Sequence, residues 1–246
     1  MRRREFVTAM GGAMMWPLAA HAQQTNRPAR SATRILVINP NSSQATTDMM
    51  VRIAQLAASD GVEVIGATAT RSPPMIVQPA ALNASAAEVV EIGMRLASSV
   101  AGIIVSAFGD PGMGDLKAQV GVPVVGIAES SMLEAASGDR RFGVATTTPE
   151  LVAAIDARAA DLGLAGLYTG VRLTSGDPVE LVRHPDDLTE ALGKAVLSCI
   201  ELDGAKAVII GGGPLGNAAT ALAQRFAVPV IAPIPAAVRR VLSLVH

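Results

Sequence analysis

The residues of this chain with the means to do chemistry lie in two glycine-rich turns and two polar clusters. Ser106 to Gly112, SAFGDPG, and Gly211 to Gly216, GGGPLG, each follow an apolar strand of small residues and precede a short helix. In an open parallel sheet the turn beyond a strand's carboxyl end is where ligands bind. The glycines, Gly212 and Gly213 among them, permit close backbone approach, and Asp110 is placed to orient a turn amide. A ligand held there would meet Phe108, Gly213 and Pro214. Ser106 and Asp110 are the only proton handlers near the first turn, and nothing in the sequence activates the serine. Neither turn contains a cysteine, histidine or lysine.

The polar clusters are Asn39-Pro40-Asn41-Ser42-Ser43 and Thr146-Thr147-Thr148, each at the end of an apolar strand run and before a helix. Asn and Ser at such a place cap the helix, and the same groups can hold an anion at its positive end. Capping alone accounts for any single member of the first cluster. Two Asn and two Ser around one proline exceed what a cap requires, so Asn39, Asn41, Ser42 and Ser43 form the expected anion site. Thr146 and Thr147 join them as ligand-binding candidates, with a plain role as strand and cap residues left open.

Elements must bring these pieces together, and the chain shows how. Ala101 to Ile127 and Ala205 to Pro233 repeat one layout: strand, Gly/Pro turn, two-turn helix, and a second strand entered through Val-Pro-Val. Around them the apolar periodicity predicts strands near 34–39, 62–69, 141–148 and 171–173, and helices near 45–58, 84–98, 129–136, 149–163, 186–202 and 237–246. Residues 70–81 read as an irregular loop, either a lid or an ordinary surface excursion. Residues 180–185 read as a polar loop, with His184 solvated in it. The fold class expected is α/β, two similar doubly wound parallel-sheet lobes, the first built from 34–128 plus 225–246 and the second from 129–224.

Composition agrees and excludes several function classes. Of 246 residues, 50% are hydrophobic and only 2% aromatic, which suits helices packed on a parallel sheet and leaves little for base stacking. A net charge of -1 argues against nucleic acid as a partner. The single cysteine, Cys199, leaves no disulfide framework, and no Cys/His cluster has metal-ligand spacing. Arg2, Arg3 and Arg4, the apolar stretch to Leu18 and Ala20-His21-Ala22 read as a twin-arginine export signal over residues 1–22, followed by a flexible lead over 23–33. The competing reading, a membrane anchor, suffers from a run shorter than the about 20 residues that span a bilayer. The expected location is the periplasm, with no stable membrane anchor after signal removal. Homo-oligomer formation is left open.

NPNSS, AFGDPG, VPVVGIAESS, FGVATTT and the duplicated layout together resemble the aspartate/glutamate/hydantoin racemase superfamily, and most closely its hydantoin racemase branch. The resemblance spans Arg34 to Val245. It implies a pseudo-twofold axis between the lobes, a small carboxylate or hydantoin-like ligand in the cleft, no cofactor, and two cysteines that remove and return a proton on opposite faces of the ligand's acidic carbon. A thiol of lowered pKa can do either job. Here Ala107 and Gly212 occupy the family's cysteine positions, and neither can move a proton. Cys199 precedes the strand that delivers Gly212, which places it at the far end of the lobe. Two functions are therefore expected to compete: an isomerase of the family using non-thiol groups, and a non-catalytic periplasmic binding protein for a small carboxylate.

Overall fold

The computed structural model describes residues 33–245. The expected export signal lies outside the described residues, as does the lead except for its last residue, Thr33, which already opens the first strand.

The first half runs β1 (Thr33–Asn39), α1 (Gln44–Ala57), β2 (Val62–Thr68), α2 (Pro79–Leu96), β3 (Gly102–Val105), α3 (Met113–Gln119), β4 (Val124–Gly126) and α4 (Ile127–Ala135). The second runs β5 (Phe142–Thr146), a 3₁₀ turn over Pro149–Leu151, α5 (Val152–Asp161), β6 (Tyr168–Leu173), α6 (Pro178–Arg183), α7 (Pro185–Glu201), β7 (Ala207–Ile210), α8 (Gly216–Leu222), β8 (Val230–Ile231) and α9 (Pro233–Val245). The strands form two four-stranded parallel sheets of identical order, β2-β1-β3-β4 and β6-β5-β7-β8. Their central strands are continuous apolar runs because helices cover both faces: Ile35 to Ile38, Ile103 to Val105 and Ala207 to Ile210 are fully buried.

In each sheet the strand order reverses between the two central strands, and such a reversal opens a crevice at the carboxyl ends. In the first sheet that crevice lies between β1 and β3, so it is flanked by the Asn39–Ser43 cluster and the Ser106–Gly112 turn. In the second it lies between β5 and β7, flanked by Thr146–Thr148 and the Gly211–Gly216 turn.

The halves are interleaved at the end of the chain. α9 follows the last strand of the second sheet, yet it packs on α4, α1 and β3 of the first half. Its apolar face, Ile234, Ala237, Val238 and Val241, is buried, and Gly102 has no room for a Cβ because Val241 would meet it at 2.6 Å. Arg239 grips Glu134 of α4 through Nε at 3.0 Å and Nη2 at 2.7 Å. Arg240, the next residue, is partly covered, and its Nε stands 3.7 Å from the buried Glu129.

Two stretches depart from the sequence reading. Residues expected as the polar loop 180–185 belong mostly to α6, whose start is fixed by Asp177: its carboxylate accepts from the amides of Val179 at 2.9 Å and Glu180 at 3.0 Å, with Pro178 at the first helical position. α2 also begins earlier than expected, at Pro79, again a proline in the first turn. His184 sits exposed between α6 and α7.

Candidate functional site

The two glycine-rich turns meet. A Cβ on Gly213 would lie 2.8 Å from the carbonyl oxygen of Ser106 and 3.1 Å from the Met50 sulfur, so only glycine lets the two backbones come this close. Above this junction is a cavity of about 50 Å³. Ser106, Ala107 and Phe108 line it from the first half, and Thr146, Thr147, Thr148, Gly211, Gly212, Gly213 and Pro214 from the second. Asn41 is the member of the NPNSS cluster that reaches it.

Asn39, Ser42 and Ser43, expected at the ligand, lie outside the lining because they are committed to holding the loop. Asn39 Nδ2 donates to Asn41 Oδ1 at 2.8 Å, to the Ser43 carbonyl at 3.1 Å and to Thr47 Oγ1 at 3.0 Å. The Ser43 hydroxyl caps α1 by accepting from the Thr46 amide at 3.2 Å, and the Ser42 amide donates to the Pro73 carbonyl at 3.2 Å. The effect is to fix the Asn41 carbonyl group, which accepts from Asn39 and from the Ser43 amide. Its Nδ2 finds no acceptor among the described residues.

Asp110 also departs from its expected place as a proton handler. Its carboxylate turns away from the cavity and caps α4, accepting from Ala128 N at 2.9 Å and Glu129 N at 2.7 Å, with Arg158 Nε of α5 at 3.1 Å. Gly126 makes room for it, since a Cβ there would collide with the carboxylate. Burial pushes the Asp110 carboxyl up, to about 6, against the pull of Arg158 and the two amides. The residue thus joins an element of each half and holds the turn in shape, which accounts for its left-handed φ of 51°.

Within the cavity the Ser106 and Thr146 hydroxyl protons are spent on the protein, while the Thr147 and Thr148 hydroxyls meet only each other, at 3.4 Å. Ser106 Oγ donates to the Met50 sulfur at 2.9 Å and Thr146 Oγ1 to the Gly211 carbonyl at 2.6 Å. The backbone amides of Ala107, Phe108, Thr147 and Thr148 have no acceptor among the described residues. Together with Asn41 Nδ2 they form a set of uncharged donors, the arrangement that suits carbonyl or carboxylate oxygens. Among the described residues, no carboxylate, imidazole, thiol, amine or phenol lines the cavity.

Cys199 is remote from this place, as its position ahead of β7 predicts. It sits on α7, fully buried, with Sγ 3.8 Å from the Val144 carbonyl and only 3.1 Å from where a Cβ on Gly143 would stand. Burial, with Asp203 nearby, pushes its thiol up to about 12.

Sequence reasoning missed the apolar part of the lining: Met75 and Ile76 of the loop before α2, Leu82 of α2, Leu151 and Ile155 around the start of α5, and Leu215. In a sequence such residues are indistinguishable from core. The loop before α2 was left open as a lid or a surface excursion; its Met75 and Ile76 line the cavity. Its base is fixed by the buried Glu88, which accepts from the Thr70 amide at 2.8 Å and the Arg71 amide at 3.0 Å.

The geometry has counterparts. The family model for Asp/Glu/hydantoin racemase matches residues 35–241. A hydantoin racemase from Paenarthrobacter aurescens is 28% identical over 215 residues, covering 86% of this chain and 91% of that protein. Among solved structures, an allantoin racemase from Klebsiella pneumoniae is 29% identical with a TM-score of 0.81 over 87% of both chains. One from Pseudomonas fluorescens is 28% identical with a TM-score of 0.82 over 87% of this chain and 91% of that one. With two parallel sheets of the same order and a cavity where their turns meet, the chain belongs to the Asp/Glu/hydantoin racemase family.

Proposed function

We infer that this member of the family binds a small carboxylate or hydantoin-like ligand in the cavity between the two turns and does not carry out two-thiol racemisation. One observation supports the reading above others: the described residues of the lining offer uncharged hydrogen-bond donors and apolar walls, but no group able to take or give a proton at neutral pH. Inversion at a carbon acid needs a base on one face and an acid on the other, and losing one such group costs about 10²- to 10⁴-fold. Ala107 and Gly212 stand at the two positions where the family's thiols belong. Ser106 is a weak substitute, since its proton already goes to the Met50 sulfur. Asp110 faces α4 and Arg158 instead of the ligand.

Binding and turnover are separable in one set of measurements on the purified protein. Thermal unfolding with a panel of small carboxylates and 5-substituted hydantoins reads binding: a ligand at 100-fold its Kd stabilises by about 2.7 kcal/mol. Incorporation of solvent deuterium at the ligand's acidic carbon reads proton transfer. A shift with at least one ligand and exchange no faster than the protein-free blank is expected. Exchange well above the blank would return the chain to the isomerases, and absence of any shift would remove the ligand site. An exported binding protein fits the same lining, but neither the comparisons nor the described residues bear on export, and a fractionation of the producing cell is its test.

A further inference from the structure

We propose that Leu82 sets the size limit of the ligand, acting as a partition between the cavity and a larger groove that would otherwise take the ligand's substituent. This rests on the reading that the cavity binds a small carboxylate or hydantoin-like core.

The cavity has about 50 Å³ of free space, which corresponds to only a few water-sized atoms, since one water needs roughly 10–15 Å³. A planar core carrying two oxygens fills it, and anything attached to that core must cross a wall. On the far side of one wall lies an open groove of about 580 Å³ between α2, the Gly109–Gly112 turn and α5. Leu82 is the residue common to the two linings. Its side chain is 5% exposed and leans on Gly109, where a Cβ would stand 2.8 Å from Leu82 Cδ2. Gly109 has a φ of +133°, a backbone conformation that excludes ordinary side chains, so a glycine is required in the turn that supports Leu82. The partition is thus one side chain wedged on a glycine turn.

The groove beyond mixes small apolar walls with polar groups, Asn83 and Asp161 among them. Ala86, Ala153, Ala154 and Ala157 give it small apolar walls. Arg158 stands in it with 17% of its side chain exposed; Nε goes to Asp110 and Nη2 lies 3.8 Å from the Met113 sulfur. Nη1 has no acceptor among the described residues. A chain passing Leu82 would find apolar surface and a hydrogen-bond donor in the same groove.

The test uses hydantoins substituted at position 5 with methyl, n-propyl and n-hexyl groups, with Kd measured by calorimetry for wild type, Leu82→Ala and Leu82→Ala/Ala157→Leu. Each buried methylene strengthens binding by about fourfold. Wild type is expected to bind the methyl compound best. Leu82→Ala should shift the hexyl-to-methyl affinity ratio toward hexyl by about 15-fold, the worth of two buried methylenes. Ala157 is exposed, so filling the groove from there leaves the core intact and should cancel the gain. If wild type binds the methyl compound and Leu82→Ala keeps the same chain-length order, the partition is wrong while the site stands. If no protein binds any of the three, the ligand reading falls and takes the partition with it. Should Leu82→Ala not fold, Leu82→Val keeps the core and must still shift the preference toward propyl; an unchanged order there overturns the proposal as well.

Discussion

Returning the two thiols is the sharpest perturbation of the proposed function. Ala107→Cys places a sulfur on the cavity wall at a position already carrying a Cβ. Gly212→Cys is more demanding, and the structure gives its size. Gly212 has a φ of 163°, extended backbone that any residue adopts, so the backbone imposes no penalty. Its new Cβ would stand 3.0 Å from Leu215 Cγ and Cδ1, and the leucine must give by a few tenths of an ångström. Leu215 is buried at 2%, so the displacement is expected to cost about 1–2 kcal/mol of stability, well within what a domain of this size tolerates. Two positioned acid/base groups act on one carbon as a unit. Either single variant should therefore stay near the blank in deuterium exchange, and the double variant, kept reduced, should exceed it by at least about 10⁴-fold. The assay is exchange into D₂O at the acidic carbon of a ligand that gives a thermal shift, followed by NMR. Comparable exchange in wild type and double variant would refute the reasoning, because it would mean that proton transfer here never depended on those two positions.

Two further outcomes follow from the buried titratable groups. Arg158→Met should cost about 3 kcal/mol at pH 7.5 by leaving the Asp110 carboxylate buried without its cation. The folded-state pKa of Asp110 lies above its ordinary value, so the folded protein holds a proton that the unfolded chain releases, and stability rises as pH falls through about 6. Urea titrations from pH 7.5 to 5 should therefore show the loss shrinking, and a loss independent of pH would place the Asp110 charge elsewhere. Cys199, buried with its thiol pushed up to about 12, should resist iodoacetamide in the native protein at pH 8 and react at the rate of global unfolding; prompt labelling would contradict its burial.

Much of the fold was legible because its signals are local and repeated. The duplicated strand-turn-helix layout predicted two sheets, and the structure returns them with the same strand order. Ala107 and Gly212 were placed by the turns that carry them, and both line one cavity. What was not legible depends on where a polar group spends its hydrogen bonds. Asn39 and Ser43 have the chemistry of ligand residues, yet their bonds close within the loop. Asp110 sits in the right turn, but its conformation turns it to the amides of α4, beyond α3 and β4 in sequence. The apolar lining, Leu82 and Ile155 above all, could not be told from core because burial in a cavity wall and burial in a core select the same side chains. α6 was missable only by neglect of a present signal, Asp177-Pro178, which is how a helix begins.

The contact between Gly213 and the Ser106 carbonyl has a consequence for how anything gets in. Two main chains pressed together with no room for a Cβ make a close-packed floor, so parting the halves like a clam would have to break that contact. Admission is left to the roof, the ten or so residues ahead of α2 that carry Met75 and Ile76, pinned at Thr70 by Glu88 and at Pro73 by Ser42. How fast a guest is captured and released would then be written in the stiffness of that span, with its prolines as the joints.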